Sequence, residues 1–273
     1  MRYLCLRYEE EAKLRTLPGA EAEAIRAEHL AATESIQQDG HYCCGEILQP
    51  ADTAATVRVQ NGIAVTPDGA FAESKEQLGE VLIIAHDLNE TIQVASKLPS
   101  ARLDTNEVRP VLEIPSANSC ILTERRRTMG ARSPYSHVER TTRVAHPAHS
   151  DGGLRMKYPL LIYGDEQALT ETERQDCYAE STQLVANLHS DGQYLGAHPL
   201  PPTAMATSVR VRDGKRLVTD GPFAETREQL GGYSLVEVKA RDEAIAVAAK
   251  IPMVRKGTVE VRPVIEIPGI SQF

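Results

Sequence analysis

The sequence contains no long hydrophobic run. Nothing in its 273 residues approaches the ~20 consecutive apolar residues that a membrane-spanning helix requires. The first eight residues, Met1 to Tyr8, are typical of a strand, and they lack the longer apolar core and the small-residue cleavage site of a signal peptide. We therefore expect a cytoplasmic protein that does not associate with membranes.

Cysteine is sparse, and several chemical motifs are missing. The five cysteines are an odd number, without a Cys-x-x-Cys pair or a nearby His-x-x-x-His, so neither a disulfide framework nor a zinc site is indicated. The sequence also has no GxGxxG, GxxxxGK[ST] or GxSxG motif, and nucleotide binding and serine-hydrolase chemistry are therefore not supported. We expect free thiols, no metal and no cofactor.

Basic residues are rare outside one segment. The formal net charge is −8, yet residues 116–155 carry seven arginines and three acidic residues, which leaves about −12 on the rest of the chain. Acidic domains repel a phosphate backbone, so we expect no binding of nucleic acid by the folded parts. Because 116–155 has no sustained periodicity, we interpret it as a flexible basic linker; the alternative is a basic binding arm.

The rest of the chain is an internal repeat. The stretch from Asp220 to Gly231 and the stretch from Asp68 to Gly79 share nine of twelve residues. Around these stretches the similarity extends over 1–115 and 156–268, named copy one and copy two here, and both copies end in Glu-Val-Arg-Pro-Val-x-Glu-Ile-Pro. We therefore predict a domain at 1–115, a linker at 116–155 and a second domain at 156–268.

The order of elements is the same in both copies. Each begins with a strand and a helix, continues with a strand, a hairpin turning at Asn61-Gly62 or Asp213-Gly214 and an apolar strand, and ends with a helix and an alternating strand. Within each shared stretch, Ser74-x-x-Gln77 and Thr226-x-x-Gln229 fit a capping box and predict a one-turn helix.

This βαβ(β)βαβ order predicts an α+β fold made of two tandem ferredoxin-like domains. Two helices cover only one face of each sheet. The uncovered faces can close against each other within the chain, which would create a partly polar cavity between the sheets. We expect either a monomer that is an internal pseudo-dimer or a larger homo-oligomer.

These residues resemble the YCII-related domain family, and specifically its DGPF subgroup. Copy two carries Asp220-Gly221-Pro222-Phe223, Val209-Arg210-Val211-Arg212-Asp213-Gly214-Lys215 and Val259-Glu260-Val261-Arg262-Pro263. Copy one is a diverged version with Ala70 in place of the proline. The resemblance implies a dimeric α/β barrel. Related barrels include small-molecule lyases, isomerases and cofactor-free monooxygenases, and genes of this family often lie beside those of transcription factors.

The resemblance also suggests a catalytic pair that this chain keeps only in part. Plain YCII-like proteins are thought to use a histidine on the first helix and an aspartate just before a proline after the second. His29 matches the histidine position, but Leu98 occupies the aspartate position. In copy two the equivalents are Ser181 and Ile251. The alternative for His29 is a core residue on an apolar helical stripe.

A polar set shared by the two copies is the remaining candidate site. We predict catalytic roles for Asp220, Glu225, Asp68, Glu73 and His29. We predict ligand-binding roles for Tyr8, Tyr163, Arg109, Arg262, Phe71 and Phe223. A carboxylate at a rigid turn, desolvated by phenylalanine and facing an arginine, is suited to act as a general base. The structural alternative is that each aspartate stabilises its own turn and that Arg262 pairs with Glu260 or Glu266.

Two functions fit these residues. The first is a cofactor-free enzyme, similar to a lyase or isomerase, that acts on a small polar or carboxylated molecule between the sheets. Asp220 would then be the base and Arg262 the partner of the anion. The alternative is a non-catalytic ligand-binding or regulatory module.

Overall fold

The computed structural model describes residues 2–40, 42–71, 75–84, 87–112, 155–223 and 226–266. Two of the predicted site residues, Glu73 and Glu225, lie outside this part of the chain. The segment 116–155 does too, apart from Arg155, so its interpretation as a linker stays a prediction.

The described elements follow the repeat. The helices are α1 (Glu11–Arg15), α2 (Gly19–Gln38), α3 (Leu88–Lys97), α4 (Ser100–Leu103), α5 (Glu171–Ser190) and α6 (Arg241–Ala248). The strands of copy one are β1 (Tyr3–Glu9), β2 (Tyr42–Leu48), β3 (Ala55–Gln60), β4 (Ile63–Val65), β5 (Gln77–Ile84) and β6 (Thr105–Pro110). Those of copy two are β7 (Met156–Gly164), β8 (Tyr194–Pro199), β9 (Thr207–Arg212), β10 (Lys215–Asp220), β11 (Gln229–Val238), β12 (Thr258–Val261) and β13 (Val264–Ile265).

These strands form two antiparallel sheets in a mixed α+β structure. One sheet has the order β10-β9-β6-β1-β5-β2-β13, and the other has the order β4-β3-β12-β7-β11-β8. None of the helices in the described residues is long and apolar enough to cross a membrane.

Each copy gives its hairpin to the sheet of the other copy. Strand β3 of copy one pairs with β12 of copy two, with Val57 opposite Val259. In the reciprocal contact, β9 of copy two pairs with β6 of copy one, with Val209 opposite Asn106. The sequence did not predict this exchange. Its consequence is that neither sheet is built from a single copy.

The main apolar core lies between the two sheets. It joins Leu4, Leu6, Val81 and Ile83 of copy one to residues of copy two that include Leu161, Leu230 and Leu235. Two further apolar clusters lie on the helix-covered faces, one on each sheet, as expected when helices cover one face. Alternate residues of a strand face opposite sides of a sheet, so each strand contributes to both kinds of core.

The turn predictions had different outcomes. Both hairpins turn as predicted, with Asn61 and Asp213 at φ 52° followed by glycines at positive φ. The predicted one-turn helix of copy two is wrong, because Gln229 begins strand β11 and the Thr226 hydroxyl donates to the Glu228 carbonyl. The copy-one equivalent is wrong at Gln77, which begins strand β5, while Ser74 lies outside the described residues. The strand contacts of a sheet outweigh the local capping signal here.

Candidate functional site

A cavity of about 490 Å³ lies between the sheets where the two copies meet, and we call it the central cavity. Most of its wall consists of equivalent residues from the two copies. These pairs are Tyr8 with Tyr163, Phe71 with Phe223, Glu76 with Glu228, Gln77 with Gln229, and Leu78 with Leu230. The cavity therefore lies on the approximate two-fold axis of the repeat.

Its aromatic walls each combine the two copies. The ring centroids of Tyr8 and Phe223 are 5.1 Å apart, and those of Phe71 and Tyr163 are also 5.1 Å apart. Tyr8 and Tyr163 come from the first strand of their copies, whereas each phenylalanine comes from the loop that follows the exchanged hairpin. The exchange thus brings together side chains that are distant in sequence.

Two buried glutamates hold these loops in place. Glu107 Oε2 accepts a hydrogen bond of 2.8 Å from the backbone N–H of Phe223, and Oε1 accepts one of 3.3 Å from Arg109 Nη1. Copy two repeats the arrangement, because Glu260 Oε2 accepts a 2.8 Å hydrogen bond from the N–H of Phe71. In each copy the arginine follows the glutamate by two residues, within β6 in copy one and just past the end of β12 in copy two, and the two side chains meet.

The two arginines are buried and donate hydrogen bonds to groups of the protein. Arg109 and Arg262 are each 1% exposed. Arg109 Nη1 donates to the Leu230 carbonyl at 3.1 Å, and Arg262 Nη1 donates to the Leu78 carbonyl at 3.2 Å. Their guanidinium groups thus link one copy to the other. Arg262 Nε also donates to Glu260 Oε1 at 2.9 Å, so the pairing of these two residues, given above as the structural alternative, is confirmed.

The tyrosine hydroxyls are protonated and available. Burial raises the pKa of Tyr8 well above its usual value, and the nearby Glu107 carboxylate and Tyr163 raise it further. Burial and Glu260 likewise raise the pKa of Tyr163. Neither hydroxyl has a hydrogen-bond partner among the residues that the structure describes. Both therefore remain neutral groups that can donate to, or accept from, a bound molecule.

The other charges that line the cavity are paired or destabilised. Glu228 accepts a 2.8 Å hydrogen bond from Thr258 and lies 3.4 Å from Arg58. Arg227 pairs with Asp165 at 3.2 Å. Burial raises the pKa of Glu107, although the Phe223 N–H and Arg109 lower it in part. Little unbalanced charge therefore faces the cavity.

The two aspartates predicted as bases do not line this cavity. Asp68 is 87% exposed and pairs with Arg241 at 2.9 Å. Asp220 ends the exposed strand β10, and its carboxylate has no hydrogen bond or ion pair among the described residues. The structure therefore does not bring Asp220 to Arg262. Glycines with φ near +100° follow both aspartates, which fits a role in the turn.

His29 lies on the helix side of the first sheet, away from the central cavity. Its Nε2 is 2.9 Å from Glu80 Oε2, and Arg7 Nε is 3.1 Å from the same oxygen. Burial alone raises the pKa of Glu80, but the neighbouring His29 and Arg7 outweigh it and lower the pKa. Leu98, at the position expected for an aspartate, is buried in the helix-side core.

Sequence reasoning missed the roles of Glu80 and Glu107, and for Glu260 it predicted only the pairing with Arg262. Glu80 was detectable as a charged residue inside the apolar run Leu78–Ile84. The signal for Glu107 and Glu260 was the alternation that places them beside Arg109 and Arg262. No cluster of three or more potential metal ligands occurs in the part of the chain that the structure describes.

Comparison with known proteins agrees with this repeat. The model of the YCII-related domain matches residues 1–115 and again residues 156–268. The chain belongs to the YCII-related domain family. An uncharacterized protein of Rhizobium meliloti strain 1021 is 34% identical over 113 residues, which cover 40% of this chain and 91% of that protein. That relative therefore corresponds in length to one YCII-related copy.

Proposed function

We propose that this YCII-related protein is a non-catalytic binding protein for a small molecule that occupies the central cavity. The observation that carries this proposal is the pair of tyrosine hydroxyls, Tyr8 and Tyr163, which have no protein partner in the described residues and lie between aromatic walls. Ligand pockets are commonly apolar cavities of ~300–1,000 Å³ with a few convergent polar groups, and a cavity of about 490 Å³ falls within that range.

The polar groups around the cavity favour binding over catalysis. A general base needs a free acceptor atom within reach of the substrate. Glu107 uses both carboxylate oxygens, one for the Phe223 N–H and one for Arg109. The raised pKa of Tyr8 keeps its hydroxyl protonated near neutral pH, so it is a poor base. We therefore prefer the binding module to a lyase or isomerase.

The same groups favour an uncharged, planar and polar ligand. Arg109 and Arg262, expected from the sequence to bind a carboxylate, donate to main-chain carbonyls and glutamates instead. A carboxylated ligand would meet Glu107 and Glu228 without a free cation in the described lining. A flat ring can stack on Phe71 and Phe223 while its polar edge hydrogen-bonds the hydroxyls of Tyr8 and Tyr163.

The proposed function also depends on how the two halves of the chain fold together. We infer that the two halves are ferredoxin-like domains, at 1–115 and 156–268, that form an intramolecular α/β barrel of the DGPF subgroup. Two antiparallel sheets that share one apolar core support this inference. In relatives made of one copy, two chains would supply the halves of such a cavity. We further propose that the protein acts in the cytoplasm without nucleic acid.

A thermal-shift screen against a metabolite library tests the proposal. Hits should raise the melting temperature of the wild type. The Tyr8→Phe, Tyr163→Phe double variant should lose most of that rise, because it lacks the two hydroxyl groups that hydrogen-bond the ligand. Tyr158→Phe is the matched control, since Tyr158 is a buried tyrosine that lines neither the central cavity nor the space beside helix α5. A screen in which every hit survives the double variant unchanged would contradict this site.

A second measurement separates binding from turnover. Each hit is incubated with the protein and then analysed by mass spectrometry. We expect the hit to be recovered unchanged. Conversion of a hit by the wild type, lost in Glu107→Gln with folding retained, would instead support the enzyme.

A further inference from the structure

We propose that copy two carries a second binding site, between helix α5 and its sheet, for a largely apolar and uncharged molecule. This site is separate from the central cavity, and the inference does not depend on the function proposed above. A cavity of about 650 Å³ lies there. Its inner wall is mainly aliphatic and includes Leu160, Ile162, Leu184, Val185, Val247 and Met253.

Comparison of the two copies explains why space exists in copy two. Strand β1 pairs Arg7 with Glu80, and the equivalent strands of copy two pair Ile162 with Gly232. In copy one, the polar side chains of Arg7, Glu80 and His29 contact one another in the space between helix and sheet. In copy two, Ile162, Gly232 and Ser181 stand at the same positions, and all three line the cavity.

The backbone conformation at Gly232 prevents a larger residue at this position from filling the cavity. This glycine has φ +149°, a conformation that other residues rarely adopt. A Cβ atom there would lie 2.8 Å from the carbonyl oxygen of His198. The glutamate of copy one therefore has no equivalent that this local backbone accepts. The two copies therefore differ at this position in backbone conformation as well as in side chain.

Helix α5 is poorly packed for its length. It spans 20 residues, of which only Leu188 is buried, whereas α2 of copy one, also 20 residues long, buries His29, Thr33 and Ile36. A surface helix normally gains its stability by burying an apolar face. Leu184 and Val185 lie on the cavity side of α5 and are only partly buried. A bound apolar molecule would complete the packing of this face.

The mouth of the cavity selects against an anion. Asp165, Glu166 and Glu171 surround it. Arg174 is the cation of this lining, and it already lies 3.5 Å from Glu171 and donates to the Glu166 carbonyl at 3.4 Å. A free carboxylate or phosphate would therefore meet acidic groups without a matching positive charge. The chemistry fits an uncharged molecule with an apolar body and at most one hydrogen-bonding end near Ser181.

Fluorescence titration with Nile red, an uncharged apolar dye, tests this site on the full chain. We expect one dye molecule per chain and blue-shifted emission. Ser181→Leu places an aliphatic side chain in the cavity and should weaken binding at least tenfold. Ser190→Leu is the matched control, because the same substitution is made on the exposed end of the same helix. Equal binding by the two variants would overturn the proposal.

A measurement on the wild type removes the dependence on variants. The Met253 methyl group lies inside the cavity, where it packs against Gly164, while Met205 is 56% exposed elsewhere. With methyl-labelled methionine, Nile red should shift the NMR signal of Met253 and leave that of Met205 in place. No shift of Met253 at saturating dye, or no binding at all, would show that the cavity does not take an apolar ligand.

Discussion

The backbone N–H of Phe223 donates to Oε2 of Glu107 at 2.8 Å, across the boundary between the two copies. The same contact recurs between Phe71 and Glu260 at 2.8 Å. A loop of each copy is thus held by a strand of the other copy, β6 for the loop of Phe223 and β12 for the loop of Phe71. The turn that is repeated in the two copies therefore contacts the opposite copy, and these contacts position both aromatic walls.

Replacing either glutamate with glutamine should destabilise the protein, and Glu260→Gln should cost more. Arg262 donates from two nitrogens to Glu260, whereas Arg109 approaches Glu107 through one contact of 3.3 Å. Loss of one partner from a buried pair leaves an uncompensated charge, and we expect on the order of 3 kcal/mol for Glu260→Gln. The raised pKa of Glu107 means that its charged form is less favoured, so Glu107→Gln should cost less.

Urea unfolding measures this difference. Glu34→Gln is the control, because Glu34 is exposed on α2, and its free energy of unfolding should change by less than ~0.5 kcal/mol. Equal losses for Glu107→Gln and Glu260→Gln would contradict the ranking.

The sequence was sufficient for the local order of elements but not for their partners. The sequence predicted a helix after the first strand of copy one, which the structure places at Gly19–Gln38, and Asn61-Gly62 predicted the hairpin turn. Turn chemistry and side-chain alternation act within a few residues, so they can be read locally. The exchange of hairpins cannot be predicted in this way. The two copies present similar strand edges, so which sheet a hairpin joins depends on the tertiary structure of the whole chain.

The candidate site shows the same division. Tyr8, Tyr163, Phe71 and Phe223 were chosen from the sequence, and the structure brings all four to one cavity. The sequence predicted Asp68 and Asp220 as bases, but an aspartate before glycine is equally typical of a turn. Only the exposure of these side chains in the structure separates a role as a base from a role in the turn. Glu80 became a partner of His29 through tertiary packing that no local pattern encodes.

His198 should make the protein sensitive to mild acid. Burial, and then the charge of Arg2, lower the pKa of His198 from 6.5 to about 3. Between these values the unfolded chain binds more protons than the folded one, so stability should fall as the pH drops below about 6.5. At 1.36 kcal/mol per pKa unit, the loss at pH 5 is about 2 kcal/mol.

The variant His198→Phe isolates this contribution, since a phenyl ring can still stack on Tyr233, whose ring centroid is 5.1 Å from that of His198. Its free energy of unfolding should depend less on pH between 5 and 7 than that of the wild type. His189→Phe, the same substitution at an exposed histidine, is the control with which its slope is compared. An unchanged slope in His198→Phe would show that His198 does not titrate in this way.

The aspartates of the repeated turns should tolerate substitution, whereas the glycines should not. Asp220→Asn removes an exposed charge and should change stability by less than ~0.5 kcal/mol. Asp68→Asn loses only the surface pair with Arg241 and should cost under about 1 kcal/mol.

Gly221→Ala in the same turn forces a Cβ into a backbone with φ +100°, and it should cost about 1–3 kcal/mol although no atom lies within 4 Å. Chemical denaturation compares the three variants. A larger loss in Asp220→Asn than in Gly221→Ala would show that the carboxylate has a role beyond the turn.

The exchanged hairpins should make the two copies dependent on each other. We expect residues 1–115 and 156–273, expressed together as separate chains, to copurify in equal amounts, because each sheet needs a hairpin from the other copy. Val57→Asp buries a charge where β3 meets β12 and should abolish copurification, since Val57 is fully buried. Ile63→Asp is the matched control on the exposed strand β4, where the side chain is 69% exposed, and it should leave the complex intact. Size-exclusion chromatography measures both, and two fragments that elute separately as folded monomers would contradict the exchange.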